Sequence, residues 1–307
     1  MSAPTPEVGE PVPGSMGIQH QVTDIGREAA GFHNNILLVL CVVISVFVLL
    51  LLAYTMFRFR RSANPTPSRT SHNTLIEVIW TLVPVIVLVG IAIPSIKLLR
   101  HQYSPPPADL TVKVIGNQWY WTYQYPDNGG FEIVSNMLKE QDAVKPGDRF
   151  RTDADGPKML AADERLVIPA GKVVKFIVTS NDVIHAFAVP AFWTKIDANP
   201  GRLNETWVKV DRPGVYFGQC SELCGARHGY MPIAVEVMPP ARFAAWVASK
   251  GGTMPGAKPA AAPDSTGSSP VSDAAVPAAA LPTAPAPAAS GPAVQPPVTN
   301  QAATAQN

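Results

Sequence analysis

Two long apolar runs near the N-terminus restrict the possible folds of this chain more than any other feature of its sequence. The first, residues 36–57, is almost continuously apolar and exceeds the roughly 20 residues that a helix needs to cross a bilayer. The second, residues 75–99, contains two prolines, which membrane helices tolerate where neighbouring groups satisfy the freed carbonyls. We therefore predict a two-helix transmembrane hairpin over residues 31–104. A pair of buried helices in a soluble core is the alternative.

The loop between the two runs determines the predicted orientation. It contains Arg58, Arg60, Arg61 and Arg69, and short loops with excess positive charge lie on the cytoplasmic side of a membrane. We therefore expect a multi-pass protein of the cell inner membrane, surrounded by lipid, with both termini on the periplasmic side. Residues 1–30 form the predicted periplasmic N-terminal segment. They do not resemble a signal peptide, so we expect that a leader was removed or that the segment crosses by another route.

The composition excludes several functions and marks one segment as disordered. Charged residues are 15% of the chain and the net charge is +1, so no nucleic-acid partner is expected. Three cysteines cannot all pair in disulfides. Residues 251–307 are rich in Ala and Pro and have no aromatic residue. Such a segment cannot bury enough apolar surface to offset its ordering entropy, and we predict a disordered C-terminal tail.

Between the hairpin and the tail, the hydrophobic pattern has the period of two that is typical of β-strands. Turn sequences with Pro and Gly separate most of the runs, which favours an antiparallel sandwich or barrel. Residues 105–250 are therefore predicted to form an all-β sandwich that ends in a short helix at 241–249. The predicted strands are 111–115, 119–125, 165–168, 173–179, 185–189, 206–210, 214–218 and 233–238.

A cluster of sulfur and nitrogen donors belongs to this domain. His185 is followed by Cys220, Cys224, His228 and Met231, with the spacing H-x34-C-x3-C-x3-H-x2-M. Thiolate and thioether groups select copper or iron–sulfur clusters, and imidazole suits copper and zinc. An all-β domain with such a loop between two strands is the arrangement expected of a copper electron-transfer protein.

Three other interpretations of the cluster stay open at this point. A Cys220–Cys224 disulfide suits an oxidising compartment but leaves the other donors unexplained, and a Cys2His2 zinc site has no use for Met231. A mononuclear blue-copper site needs one Cys only, whereas a second Cys is present here. Two thiolates that can bridge favour two copper ions. Cys41, in the first apolar run, is interpreted as an inert packing residue.

From about residue 16 to residue 249, the sequence resembles subunit II of the haem–copper cytochrome c oxidases. The resemblance implies a cupredoxin-like sandwich with a dinuclear CuA centre that holds two copper ions. It implies that the Glu222 carboxylate also binds a magnesium ion shared with subunit I. The implied copper ligands are His185, Cys220, Cys224, His228, Met231 and the backbone carbonyl of Glu222. The motifs that carry the resemblance are Gly116-Asn-Gln-Trp-Tyr-Trp, Asp182-Val-Ile-His, Ala198-Asn-Pro-Gly-Arg-Leu, Gly218-Gln-Cys-Ser-Glu-Leu-Cys-Gly and His228-Gly-Tyr-Met-Pro.

The resemblance also implies roles for residues outside the copper cluster. Electrons from cytochrome c would enter at Trp119, for which packing in the sandwich core is the alternative. Asp163 and Asp182 would dock this basic partner, although Asn181 stands where some relatives carry an acid. Glu77 would lie at the entrance of a proton path into subunit I, or simply extend into the headgroups.

The predicted function is that of an electron-transfer subunit within a proton-translocating oxidoreductase. It would accept electrons from cytochrome c and pass them to haem in subunit I, where oxygen is reduced to water; subunits I and III would be its neighbours. The alternatives are a quinol oxidase subunit II that has lost its metal and a periplasmic copper carrier. The intact cluster argues against the first alternative, and the two membrane helices together with Trp119 argue against the second.

Overall fold

The computed structural model describes residues 8–66 and 68–255, and the predicted tail lies outside the described residues from position 256 onward. The chain begins with a long helical rod. It comprises α1 (Asp24–Phe32), one π-helical turn (His33–Leu37) and α2 (Leu38–Arg58). After the arginine-rich loop, α3 (Thr74–Gln102) runs for 29 residues.

The first helix begins earlier than its apolar run predicts. Thr23 is the N-cap, and its side chain accepts a hydrogen bond from the Gly26 backbone N–H. This part of the rod is amphipathic and buries Ile25 and Ala29, so its pattern differs from that of the uniformly apolar part that follows. The predicted N-terminal segment therefore contains the first turns of the helix.

The helices α2 and α3 are apolar on all sides and bury none of their residues within the described chain. A helix that is apolar all round must be covered by a protein core or by lipid. Because the other described residues do not cover these helices, their surroundings are those of a membrane or of other protein chains. Both helices are long and apolar enough to span a bilayer.

The remaining described residues form a sandwich of two five-stranded sheets. One sheet has the order β3-β2-β1-β5-β8 and the other β4-β10-β9-β6-β7. Helix α4 (Pro240–Ser249) closes the domain and buries Phe243 and Val247. The strands are β1 (Leu110–Asn117), β2 (Tyr120–Tyr125), β3 (Phe131–Ser135), β4 (Leu166–Pro169), β5 (Val173–Ser180), β6 (His185–Val189), β7 (Thr194–Ala198), β8 (Asn204–Lys209), β9 (Gly214–Cys220) and β10 (Pro232–Met238).

The sandwich corrects the sequence-based prediction in three details. The strands β3 and β7 were not predicted; each is the outermost strand of its sheet, where a strand needs only a weak apolar pattern. The sheets are mixed and not purely antiparallel, because β1 pairs with β5 and β4 with β10 in parallel. The strand predicted at 119–125 begins at Tyr120, so that Trp119 precedes it.

Residues 8–23, which we call the N-terminal strap, lie against the sandwich. The Phe217 backbone N–H in β9 donates to the Gly9 carbonyl at 3.1 Å, and the Val22 N–H donates to the Ala191 carbonyl at 3.0 Å. Val8 and Val22 are buried in the main hydrophobic core. The strap is therefore packed as part of the β domain, ahead of the first membrane helix.

Replacement of Gly9 by Ala should detach the first part of the strap. A Cβ at this position would lie 2.1 Å from the Val215 carbonyl oxygen and 2.7 Å from the Tyr216 Cα, and neither backbone atom can move aside cheaply. We expect the free energy of unfolding to fall by about 1–3 kcal/mol. The thermal midpoint of the full chain in detergent should be lower, and proteolysis before residue 24 should be faster.

Gly17→Ala is the matched control, because a Cβ on Gly17 of the same strap meets no atom within 4 Å. The free energy of unfolding of this variant should stay within about 0.5 kcal/mol of that of the unmodified chain. Equal midpoints for both variants would show that the strap does not pack on β9.

Candidate metal centre

Adjacent strands bring the first two donors of the cluster together. His185 opens β6, Cys220 closes β9, and these strands pair antiparallel with Phe187 opposite Cys220. The Ser221 backbone N–H donates to the Ala186 carbonyl at 3.1 Å and extends this pairing toward His185. The first ligand pair is thus positioned by sheet register and not by a flexible loop.

The loop from β9 to β10 supplies the other donors. Cys224 lies on this loop, His228 begins a 3-10 turn (His228–Tyr230), and Met231 immediately precedes β10. The Cys220 backbone N–H donates to the Met231 carbonyl at 3.4 Å, so the two ends of the loop are held together. A loop closed in this way returns every donor to the same end of the sandwich.

The thiols and imidazoles converge on one small volume. The Sγ atoms of Cys220 and Cys224 lie 3.8 Å apart, and both thiols are free. Nδ1 of His185 lies 3.8 Å from Sγ of Cys220, and Nδ1 of His228 lies 3.6 Å from Sγ of Cys224. Each thiol therefore has one imidazole beside it, and the two pairs share a common centre.

Two further donors flank this centre. The Met231 Sδ lies 3.5 Å from Sγ of Cys224, and the Glu222 backbone carbonyl lies 3.4 Å from Sγ of Cys220. His185 and Met231 are almost completely buried, and both thiols are buried as well. The structure thus brings together all six donor groups that the sequence resemblance implies as copper ligands.

Asp182 orients the His185 ring. The His185 Nε2–H donates to the Asp182 carboxylate at 2.8 Å, so that Nδ1 faces the thiols. Burial raises the pKa of Asp182, but hydrogen bonds from His185 and from the backbone N–H groups of Val183 and Gln118 outweigh it and lower the pKa overall. A carboxylate behind an imidazole in this way fixes the tautomer that can bind a metal.

The two thiols differ in acidity. Burial raises the pKa of Cys220, but hydrogen bonds from His185 and from the Glu222 and Ala186 backbones lower it to about 6. Burial and the negative charge on Cys220 raise the pKa of Cys224 to about 12. In the metal-free chain at neutral pH, Cys220 is therefore a thiolate and Cys224 a thiol.

This donor set fits copper. Thiolate, imidazole and thioether are the ligands that copper takes in electron-transfer sites, and with metal–sulfur bonds of about 2.3 Å one ion can reach both sulfur atoms. A zinc site would leave the thioether without a role, and the two sulfurs are too far apart for a disulfide bond of about 2.05 Å. The fold and the donors define a β-sandwich protein anchored by two apolar helices, with a soft site suited to copper.

Comparisons with known proteins agree with this class. The family "Cytochrome C oxidase subunit II, periplasmic domain" matches residues 110–238, and its "transmembrane domain" counterpart matches residues 11–98. The chain is 48% identical over 241 residues to a probable cytochrome c oxidase subunit 2 of Rickettsia bellii (strain RML369-C), covering 78% of this chain and 86% of the relative. It is 40% identical over 263 residues to cytochrome c oxidase subunit 2 of Cereibacter sphaeroides, covering 80% and 84%.

A solved structure is similar to the β domain. It is the periplasmic domain of subunit II of cytochrome oxidase (CoxB) of Bradyrhizobium japonicum, with 51% sequence identity and a TM-score of 0.42. The match covers 48% of this chain and 97% of the solved chain. From the identity and coverage of the sequence relatives, the chain belongs to the cytochrome c oxidase subunit II family. The predicted family and fold class are confirmed: this is a membrane protein with a periplasmic β-sandwich domain, and a subunit of a haem–copper oxidase complex.

Trp119 contacts the backbone of one of the two cysteines. Its indole Nε1–H donates to the Cys224 carbonyl at 3.2 Å, and the side-chain amide of Gln118 donates to the same carbonyl at 2.8 Å. The Trp119 ring is only partly buried, and it packs against the edge of the main core. The sequence analysis did not select Gln118, although its position beside Trp119 in the motif Gly116-Asn-Gln-Trp-Tyr-Trp, the aromatic motif, was a usable signal.

Asp163 and Glu77 make local hydrogen bonds and contact none of the donor residues by hydrogen bond among the described residues. Asp163 accepts hydrogen bonds from the Asn136 and Glu164 backbone N–H groups, both at 2.7 Å, and closes a turn beside β3. Glu77 lies in the first turn of α3 and accepts from the Asn73 N–H at 3.3 Å. The Glu222 side chain is exposed.

The affinity of the metal-free chain for Cu(I) should rise with pH between about pH 7 and about pH 9, because ligand binding requires deprotonated thiols. Cys220 is already a thiolate in this range, since its pKa is about 6. Cys224, with a pKa of about 12, must lose its proton to the solvent when copper binds. Competition with a Cu(I) chelator across this range measures the slope.

Cys224→Ser should reduce the slope by about one proton, while Cys41→Ser, on the exposed surface of α2, should leave it unchanged. A slope that is the same in Cys224→Ser and in the unmodified chain would contradict the assignment of the proton to Cys224.

Proposed function

We propose that this chain accepts electrons from cytochrome c at a dinuclear copper centre and passes them to haem in subunit I of its complex, where oxygen is reduced to water and protons are translocated. The proposal is carried by the convergence of two free thiols, two imidazole Nδ1 atoms, a thioether and a backbone carbonyl. Copper bound there supplies a one-electron couple.

The protein part of this function is to hold the ligands still in a dry site. Burial of His185, Cys220, Cys224 and Met231 excludes water, so little solvent must reorganise when the charge of the centre changes. Three donors, His185, Cys220 and Met231, lie at or directly beside strand ends, and Asp182 also fixes the His185 ring. A site in which ligands scarcely move between oxidation states suits rapid electron transfer.

Trp119 supports a route for electrons from the protein surface. Its ring is partly exposed, and its indole N–H reaches the backbone carbonyl of Cys224. Asp163 and Asp182 are the proposed docking acids for a basic cytochrome c, and complementary charge of this kind acts mainly on the association rate. Asp182 has a second task, because it also holds His185.

The side chains of Glu222 and Leu223 are exposed on the loop between β9 and β10, which supports contact of this loop with another subunit. We propose that the Glu222 carboxylate binds a magnesium ion shared with subunit I, since carboxylate oxygen suits this cation. In the whole complex, Glu222→Gln should abolish the binding of Mn²⁺, used as a substitute for Mg²⁺, and should leave the copper content unchanged. Unchanged Mn²⁺ binding would refute this role.

Glu77 is proposed to lie at the entrance of a proton path into subunit I. Its carboxylate also accepts from the N-cap backbone of α3, which by itself explains its position. Glu77→Gln keeps a side-chain oxygen that can accept this hydrogen bond, so slower proton uptake in this variant would support the path, and an unaltered rate would refute it. We further propose the inner membrane as location, both termini on the periplasmic side, and subunit III as an additional neighbour.

The function is tested by metal analysis and electron paramagnetic resonance of the copper-loaded full chain in detergent. We expect two copper ions per chain and a single unpaired electron shared between them, because two thiolates can bridge. One copper with the hyperfine pattern of a single nucleus would contradict the dinuclear centre, and absence of copper would favour a metal-free subunit.

Trp119→Phe should slow electron transfer from reduced cytochrome c by about tenfold or more, equivalent to about 1.4 kcal/mol. Copper content should not change, because Trp119 is not a ligand. Rapid-mixing kinetics of the complex measure the rate. A parallel loss of copper would mean that Trp119 is structural.

Asp163→Asn provides the contrasting control. It should raise the Michaelis constant for cytochrome c at low ionic strength and have little effect at high ionic strength, where charges are screened. An effect independent of salt would remove Asp163 from the docking surface.

A further inference from the structure

We infer that Trp121 is a positioning residue that ties the Met231 and His185 ligands to one rigid indole and thereby sets the reduction potential of the copper centre. The inference rests on the proposed function. It concerns the second tryptophan of the aromatic motif, which is fully buried and therefore cannot receive electrons at the surface as Trp119 is proposed to do.

The first contact is with the backbone of Met231. The Trp121 Nε1–H donates to the Met231 carbonyl at 3.2 Å. The same carbonyl accepts the longer hydrogen bond from the Cys220 backbone N–H, at 3.4 Å. One carbonyl oxygen thus joins the indole to both ends of the ligand loop, and the indole supplies the shorter of its two hydrogen bonds.

The second contact is with the ring of His185. The Trp121 and His185 rings meet edge to face, with centroids 5.9 Å apart. Trp121 in β2 is directly opposite Gly116 in β1, and cross-strand partners project to the same face of a sheet. A Cβ on Gly116 would lie 2.8 Å from Cδ2 of His185, so the imidazole occupies the space left by the missing side chain, beside Trp121.

The indole itself is held firmly. Phe187 meets it edge to face at 5.7 Å, and Phe187 is in turn the residue opposite Cys220 in the β6–β9 pairing. Trp121 therefore contacts two residues of β6 and the end of the loop between β9 and β10. A rigid group with these three contacts restricts how far Met231 can move relative to His185.

The position of Met231 bears on the potential. A thioether is a weak, soft ligand that favours Cu(I), and weak ligands of this type tune the potential of copper sites. Without the indole N–H, the Met231 carbonyl would keep only the long hydrogen bond from Cys220, and the thioether could withdraw from the thiols. The reduced state would lose more than the oxidised state, so the potential should fall.

The test is Trp121→Phe in the full chain, solubilised in detergent and loaded with copper. Phenylalanine keeps an aromatic ring beside His185 but removes the N–H donor. We expect copper affinity to fall by about 10-fold to 100-fold, and the potential to fall by about 59 mV for each factor of ten lost by Cu(I) relative to Cu(II). Redox titration followed by the copper absorption bands measures both.

Tyr123→Phe is the matched control. Tyr123 is also fully buried and lies two residues further along β2, on the same face as Trp121, but it contacts none of the ligands by hydrogen bond in the described chain. This substitution removes a buried hydroxyl that has no hydrogen-bond partner among the described residues, so it should change neither the potential nor the spectrum. A potential that falls equally in both variants would overturn the inference, because general loosening of the core would then explain it.

The remaining outcomes also decide between the possibilities. A copper-loaded Trp121→Phe with an unchanged potential and spectrum would overturn the inference alone, whereas an unmodified chain that binds no copper would overturn the proposed function and the inference with it. If Trp121→Phe does not fold, nuclear magnetic resonance of tryptophan-labelled unmodified chain replaces it. A large paramagnetic shift of the Trp121 Nε1 proton on copper loading supports the contact, and no shift overturns it.

Discussion

The short pairing between β6 and β9 is the contact on which the metal centre depends. Only in this register does His185 at the start of one strand come beside Cys220 at the end of the other. The strands approach so closely that a Cβ on Gly218 would lie 1.9 Å from the Ala188 carbonyl oxygen. A glycine is therefore required at position 218, two residues before Cys220 in β9. Any larger side chain there would push β6 and β9 apart and separate His185 from Cys220.

The acidity of the two thiols follows from this geometry. Cys220 receives hydrogen bonds that stabilise a negative charge, whereas Cys224 is buried beside that charge and keeps its proton. Two like charges in a desolvated space repel each other, so the metal-free site holds one thiolate and one thiol. Cys224 would release its proton if copper bound, because the positive charge of the ion would then offset the repulsion, and metal uptake would be coupled to proton release.

The sequence predicts the parts of this protein whose pattern is local. The uniform apolar runs of α2 and α3, the strong alternation of β5 and the spacing of the sulfur and nitrogen donors all lead to the observed elements. The edge strand β7 escaped prediction because Lys195 and Asp197 are exposed on it and weaken its apolar pattern. The parallel pairing of β1 with β5 has no local signal at all, because strand direction depends on the path of the intervening chain.

The candidate site divides in the same way. The closely spaced donors from Cys220 to Met231 can be recognised in the sequence as a metal-binding pattern. The residues that hold these donors in place cannot be recognised in this way. That Gln118 and Trp119 share the Cys224 carbonyl, and that Trp121 holds the Met231 carbonyl, depends on strands distant in sequence. Asp182 is only three residues from His185, but its contact depends on the conformation of the turn between β5 and β6. The aromatic motif could be recognised as a unit, yet only register tells that its two tryptophans reach two different ligands.

The connection between the β domain and the membrane helices gives these local contacts a fixed place. The Trp207 indole N–H of β8 donates to the Gln102 carbonyl at the end of α3 at 3.0 Å, and His101 contacts Glu28 of α1 at 2.9 Å. The second contact is partly exposed, and pairs of this kind contribute little free energy. Their effect is geometric: the Trp207 hydrogen bond attaches the sandwich to α3, the N-terminal strap attaches it to α1, and the contact between His101 and Glu28 joins the two helices. Electron transfer between a copper centre and a haem in another subunit needs a constant distance, and a domain attached at two points to a joined pair of helices can keep it.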